Sequence, residues 1–99
     1  MFLGLVEERV GDKPSYVSKI VLDVLKPHVP SLVEFSMELA RIPGVSRVDA
    51  VLVEVDAETD SIKLTVEGRR IDYEKLESAV KRLGAAVHSI DQVVVESEG

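Results

Sequence analysis

The side chains able to do chemistry in this chain are few and spread along it: two histidines, His28 and His88, eighteen carboxylates and no cysteine. Without cysteine there are no thiol nucleophiles, zinc ribbons, iron–sulfur ligands or disulfides. Hard-ligand and acid–base chemistry remain. Asp23, Glu54 and Glu67 with His88 form an oxygen-rich set with one imidazole, suited to calcium or magnesium. Lys26, His28 and Ser31 cluster in LKPHVPS, ahead of a helix start where free backbone N–H groups favour a small carboxylate or phosphate. Each set has a plain alternative. The plain reading of Asp23 is an ion pair with Lys63, Arg69 or a base on a neighbouring subunit, and two prolines stiffen the turn whether or not an anion binds. His88 has no Ser-His-Asp or Cys-His set beside it, so no catalytic residue is assigned. An enzyme reading requires a site built between subunits from His88, Asp23 and Glu67.

These residues are positioned by a regular alternation of elements. Val17 to Leu25 is rich in Val and Ile and reads as a strand that Pro27 stops, because proline cannot donate to a ladder. Ser31 followed by Glu34 is a capping box, and Leu32, Phe35, Leu39 and Ile42 recur at helical spacing, with Val33, Met37 and Ala40 widening the stripe. The helix is expected to end at Ile42-Pro43-Gly44. A second strand runs from Val45 to Asp56, and Glu58 to Ser61 turns the chain. Ile62 to Gly68 then alternates apolar and polar. Asp72 caps a second helix lined by Tyr73, Leu76, Ala79, Val80 and Leu83, Gly84 supplies its stop, and Ala86 to Glu96 is the last strand.

A shift of 42 residues superposes the halves: Ile20, Leu22 and Val24 fall on Ile62, Leu64 and Val66, and Val45, Val48, Asp49, Val51 and Val53 fall on Val87, Ile90, Asp91, Val93 and Val95. Two interleaved strand-helix-strand units predict an α+β, ferredoxin-like βαββαβ fold, a four-stranded antiparallel sheet of order 4-1-3-2 with both helices on one face. The domain spans residues 17–97; residues 1–16 lie outside the repeat as an arm on a neighbour or a frayed end.

Ile20, Leu22 and Val24 should face the helices, leaving Val21, Asp23 and Leu25 on the open face beside Lys63, Thr65 and Glu67. The outer strands, AVLVEV and DQVVVE, are apolar in both parities and so want cover on both sides. Val21, Asp23, Leu25, Val93 and Val95 are therefore the expected interface of a homo-oligomer, and edge pairing would protect the apolar tail strand.

Composition narrows the partners. A net charge of -6 with 12 scattered bases argues against nucleic acid. No apolar run approaches the roughly 20 residues of a membrane span, and the N-terminus lacks the layout of a signal peptide, so a cytoplasmic protein with no membrane partner is expected. Asn and Trp are absent and Gln occurs once, a depletion that suits a thermophile.

With LDVLKPHVPSLVEF, VEVDAETDSIKLTVEG and AVHSIDQVVV in view, residues 17–95 resemble the archaeal family of uncharacterised proteins grouped as domain of unknown function 211. The resemblance implies a ferredoxin-like domain that assembles into closed homo-oligomers, with no established activity, and carries nothing over to the first sixteen residues. Heavy-metal-associated domains are similar more loosely, but their Cys-x-x-Cys is replaced here by Lys-Pro-His-Val-Pro. Amino-acid-sensing regulatory domains bind effectors near the same turn, although the glycine usual there is missing.

Overall fold

The structure, a computed structural model, describes residues 13–98. The strands are β1 (Ser15–Pro27), β2 (Val45–Val55), β3 (Thr59–Gly68) and β4 (Ala86–Ser97), and the helices are α1 (Leu32–Leu39) and α2 (Tyr73–Arg82), in the order βαββαβ. Every strand pairing is antiparallel and the sheet order is β2-β3-β1-β4, the expected ferredoxin-like arrangement.

Period-two alternation on the two central strands creates the core. Ile20, Leu22 and Val24 on β1 stand directly across from Val66, Leu64 and Ile62 on β3, and all six are buried with Phe35 and Leu39 of α1 and Leu76, Ala79 and Val80 of α2. Burial of each large aliphatic or aromatic side chain contributes about 1.5–3 kcal/mol relative to exposure. Ser31 closes the capping box: its Oγ accepts from the Glu34 N–H at 3.1 Å, and the Glu34 carboxylate accepts from the Ser31 N–H at 3.2 Å. Asp72 caps α2 through the N–H groups of Glu74 and Lys75.

Element ends differ from expectation in instructive ways. The helix α1 stops at Leu39, three residues before Ile42, and the chain continues in turn bonds from Arg41 to Glu38 and from Ile42 to Leu39. Such i to i−3 bonds tighten a terminal turn, and Ile42 still packs on the core. The first strand begins at Ser15, because Ser15 and Tyr16 pair with Ser97 and Glu96 of β4. Residues 1–12 of the expected arm lie outside the described residues.

Bulges explain why the outer strands are apolar in both parities. Along β4 the partners of Val21 and Leu22 are Gln92 and Ile90, and those of Asp23 and Val24 are Ser89 and Val87, so Asp91 and His88 are extra residues. Along β2, Leu52 faces Ile62 and Glu54 faces Ser61, making Val53 the extra residue. Each extra residue exchanges the faces of everything beyond it, so no single parity describes an outer strand.

Candidate functional site

The open sheet face is ordered by the register of the central strands. Val21, Asp23 and Leu25 stand between Thr65, Lys63 and Ser61 of β3 on one side and Gln92, Ser89 and Ala86 of β4 on the other. Val21 is buried, Asp23 is half-buried and Leu25 is exposed. Polar cross-links span this face. Lys63 Nζ reaches over β1 to Asp91 Oδ2 at 3.7 Å, while the Ser89 hydroxyl donates to Asp91 Oδ1 at 2.7 Å. On the β2 side, Arg47 Nη1 lies 3.3 Å from Glu67 Oε1 and 3.7 Å from Asp49 Oδ2. Lys63 and Arg69, the bases of this chain offered as partners for Asp23, are thus both turned to other acids: Lys63 to Asp91 and Arg69 to Glu98.

Asp23, Glu54, Glu67 and His88 do not converge within one chain. Asp23 is level with Lys63 of β3, and Glu67 lies four residues farther along, about 13 Å at 3.3 Å per residue. Glu54 is level with Ser61, in the opposite direction along β3, and His88 occupies a β4 bulge. Among the described residues no group of three or more histidines and acids is arranged to hold a metal ion. Val93 and Val95 also part company with Val21, Asp23 and Leu25: Val93 is level with core-facing Ile20 near the far end of β4, and both valines are about half exposed.

The first crossover is built from internal contacts. Lys26 is buried, its Nζ donating to the Pro27 carbonyl at 2.9 Å and standing 3.7 Å from Asp60 Oδ2. His28 places Nδ1 2.9 Å from Asp60 Oδ1 and Nε2 3.1 Å from the Ala57 carbonyl. These bonds raise the His28 pKa above 6.5, the Ala57 contact most and Asp60 next, against a lowering by desolvation and by Lys26. Ser31 is engaged with Glu34, so a carboxylate of the chain itself occupies the start of α1. Lys26, His28 and Ser31 are neighbours in space as in sequence, but all three serve the crossover and the hairpin tip in this structure.

Two features escape sequence reasoning. At one end of the sheet Arg69 and Arg70 stack over the Tyr16 ring, their guanidinium carbons 4.5 and 5.5 Å from its centre. Arg69 also donates to the Tyr16 hydroxyl at 2.9 Å and to Glu98 Oε2 at 2.8 Å, and Arg70 pairs with the same carboxylate oxygen. The adjacent arginines are visible in the sequence, but their partners lie 28 to 53 residues away, and the pairing of β1 with both β3 and β4 brings them together. The second feature is an open, polar groove of about 710 Å³ between the helices, flanked by Arg41, Asp72, Lys75 and Arg82.

The exposed apolar side chains concentrate on the two edge strands: Val51, Leu52, Val53 and Val55 on β2, and Ile90, Val93 and Val95 on β4. Exposures of 46 to 62% at these seven positions contrast with the fully buried aliphatics of β3 at Ile62, Leu64 and Val66. Among the described residues no helix is long and apolar enough to cross a membrane.

Comparison with known proteins finds uncharacterised matches and adds no activity. The family model described as uncharacterised ArCR, domain of unknown function 211, matches residues 18–98. An uncharacterised protein of the archaeon Methanocaldococcus jannaschii, MJ0319, is 36% identical over 78 residues, which cover 79% of this chain and 80% of that protein.

Proposed function

The chain belongs to the uncharacterised ArCR family, domain of unknown function 211, and from that premise we propose that it is a non-catalytic, homo-oligomeric module whose subunits meet through the open face and edges of the sheet. The observation that carries this reading is the row of half-exposed aliphatics on both edge strands, β2 and β4. An isolated chain would present two apolar edges with unpaired backbone groups, the arrangement that natural proteins cover or blunt. An interface of about 800 Å² per partner is ordinary, and a domain of this size gains stability from such burial. Because the two edges lie on opposite sides of the sheet, pairing β2 of one copy with β4 of the next is a heterologous contact, which closes into a ring when its rotation closes.

Within such an assembly the acids of the open face stand singly, so calcium or magnesium bound by Asp23, Glu54, Glu67 or His88 has to draw ligands from two subunits. The same boundary is where a small metabolite would bind, and where an enzyme site of His88, Asp23 and Glu67 would have to form. Among the described residues no reacting group accompanies them within one chain, which favours binding over catalysis.

Light scattering on the purified protein tests the assembly. A multimer at micromolar concentration is expected, with Val51→Lys and Val95→Lys shifting it towards monomer; a strictly monomeric wild type would overturn the reading. Calorimetry with calcium and magnesium, comparing wild type with Asp23→Ala, tests the cation separately: weaker binding in the variant supports a ligand role, and equal heats remove Asp23 from it.

A further inference from the structure

We propose that His28 is a pH-operated latch: doubly protonated, its ring ties the tip of the β2–β3 hairpin to the β1–α1 crossover, and loss of one proton frees the tip. Both ring nitrogens face groups that only accept. Nδ1 is 2.9 Å from Asp60 Oδ1 and Nε2 is 3.1 Å from the Ala57 carbonyl oxygen. A neutral imidazole carries one N–H, so it serves one of these partners and sets a lone pair against the other. The imidazolium serves both. Asp60 is the stronger acceptor because it is charged, so the neutral ring keeps the bond to Asp60 and the Ala57 bond is the one that breaks.

The latch joins segments distant in sequence, since His28 is 29 residues from Ala57 and 32 from Asp60. Asp60 belongs to the paired part of the hairpin, opposite Val55. Ala57 belongs to the turn, which the Asp56 N–H closes onto the Thr59 carbonyl at 2.8 Å. Releasing Ala57 therefore leaves the turn held only by the Asp56–Thr59 bond and strand pairing, while His28 and Lys26 still hold Asp60 at its base. The charges acting on the ring are Asp60, which favours the imidazolium, and Lys26, which opposes it. Asp56 and Glu58 flank Ala57 in the turn, and Glu34 of α1 is turned back to the Ser31 N–H.

Because the folded-state pKa is raised, the latch is complete below the ordinary value of about 6.5 and is lost as pH climbs through the raised value. Because the ring is 44% exposed, added salt weakens the charged Asp60 contact and should lower the midpoint. The latch lies within one chain and does not rest on the proposed assembly.

Ring nitrogen shifts and amide hydrogen exchange, both read by NMR from pH 5.5 to 8.5, test it. Wild type should show both ring nitrogens protonated at the low end and a titration midpoint above 6.5. After correction for intrinsic exchange, the Asp56, Ala57 and Glu58 amides should then exchange faster through the same midpoint. The limiting increase is ten raised to the difference between the latched and open pKa values, so the two readings must agree. His28→Gln should abolish that pH step, and Asp60→Asn, whose amide can donate as well as accept, should lower the midpoint. A ring that titrates at or below 6.5, or exchange at the tip that ignores its titration, would overturn the latch.

Discussion

Gly68→Ala gives the sharpest test of how the sheet is closed at its arginine end. An ideal Cβ at Gly68 sits 1.9 Å from the Gly44 carbonyl oxygen and 2.9 Å from the Val45 Cα, both backbone atoms. A relaxed carbon–oxygen contact is about 3.3 Å, so the β2 start and β3 end must part by roughly 1.4 Å. Nothing soft lies between them. That separation breaks the bond from the Arg69 N–H to the Gly44 carbonyl, now 2.8 Å. Overpacking costs about 1–3 kcal/mol and the lost hydrogen bond about 0.5–1.5 kcal/mol. Against this, the alanine stiffens the unfolded chain by about 0.4–1 kcal/mol. The net is a loss of about 0.5–4 kcal/mol, centred near 2, and that central value lowers Tm by roughly 8–16 °C for a domain of this size. Gly84→Ala is the control: Gly84 has φ +87° but its Cβ would meet only Pro27 Cγ at 3.4 Å, so its cost is the left-handed backbone alone, about 1–2 kcal/mol. Thermal and urea unfolding at a fixed protein concentration should rank Gly68→Ala below Gly84→Ala. If Gly68→Ala unfolds within 0.5 kcal/mol of wild type, the close crossing of β2 and β3 is not what positions Arg69 and Arg70.

Three further outcomes follow from single contacts. Phe35→Ala removes a fully buried ring under α1 and should cost about 3–5 kcal/mol, read as a lowered urea midpoint with little change of slope. Ser31→Ala opens the capping box and should cost about 1 kcal/mol, with loss of protection at the Glu34 amide marking the site. Lys26→Met keeps the buried stem but removes the charge that opposes protonation of His28; the His28 midpoint should rise further, and a midpoint that falls would show that Asp60 had been held in place by the lysine.

The fold was legible because its information is local and repeated. Ser31 with Glu34, Asp72, and the alternation Ile20-Leu22-Val24 against Ile62-Leu64-Val66 each declare an element or a face without reference to the rest of the chain. Strand ends and bulges were not legible, because a bulge is decided by a partner strand. Nothing in DQVVVE marks Asp91 as the extra residue; the register with β1 does. The same limit governed the site. Placing Asp23 with Lys63 was right in register, but the lysine side chain reaches past it to Asp91, a residue whose facing depends on the bulge.

His28 shows how far local reasoning carries before distance takes over. From the sequence it is a histidine between two prolines, at a turn suited to an anion, and the anion that reaches it is Asp60, a carboxylate of the chain's own hairpin. Lys26 meets the same carboxylate from beneath, on the core side of the strand that ends at Pro27. The crossover thus satisfies its own electrostatics internally, and among the described residues nothing covers either edge of the sheet. Any ligand at the crossover has to displace Asp60 from two bases and Glu34 from its cap, whereas a second copy at an edge displaces only water. That inequality favours the proposed assembly at the edges over a ligand at the crossover, with the turn serving to hold the hairpin that presents one of those edges.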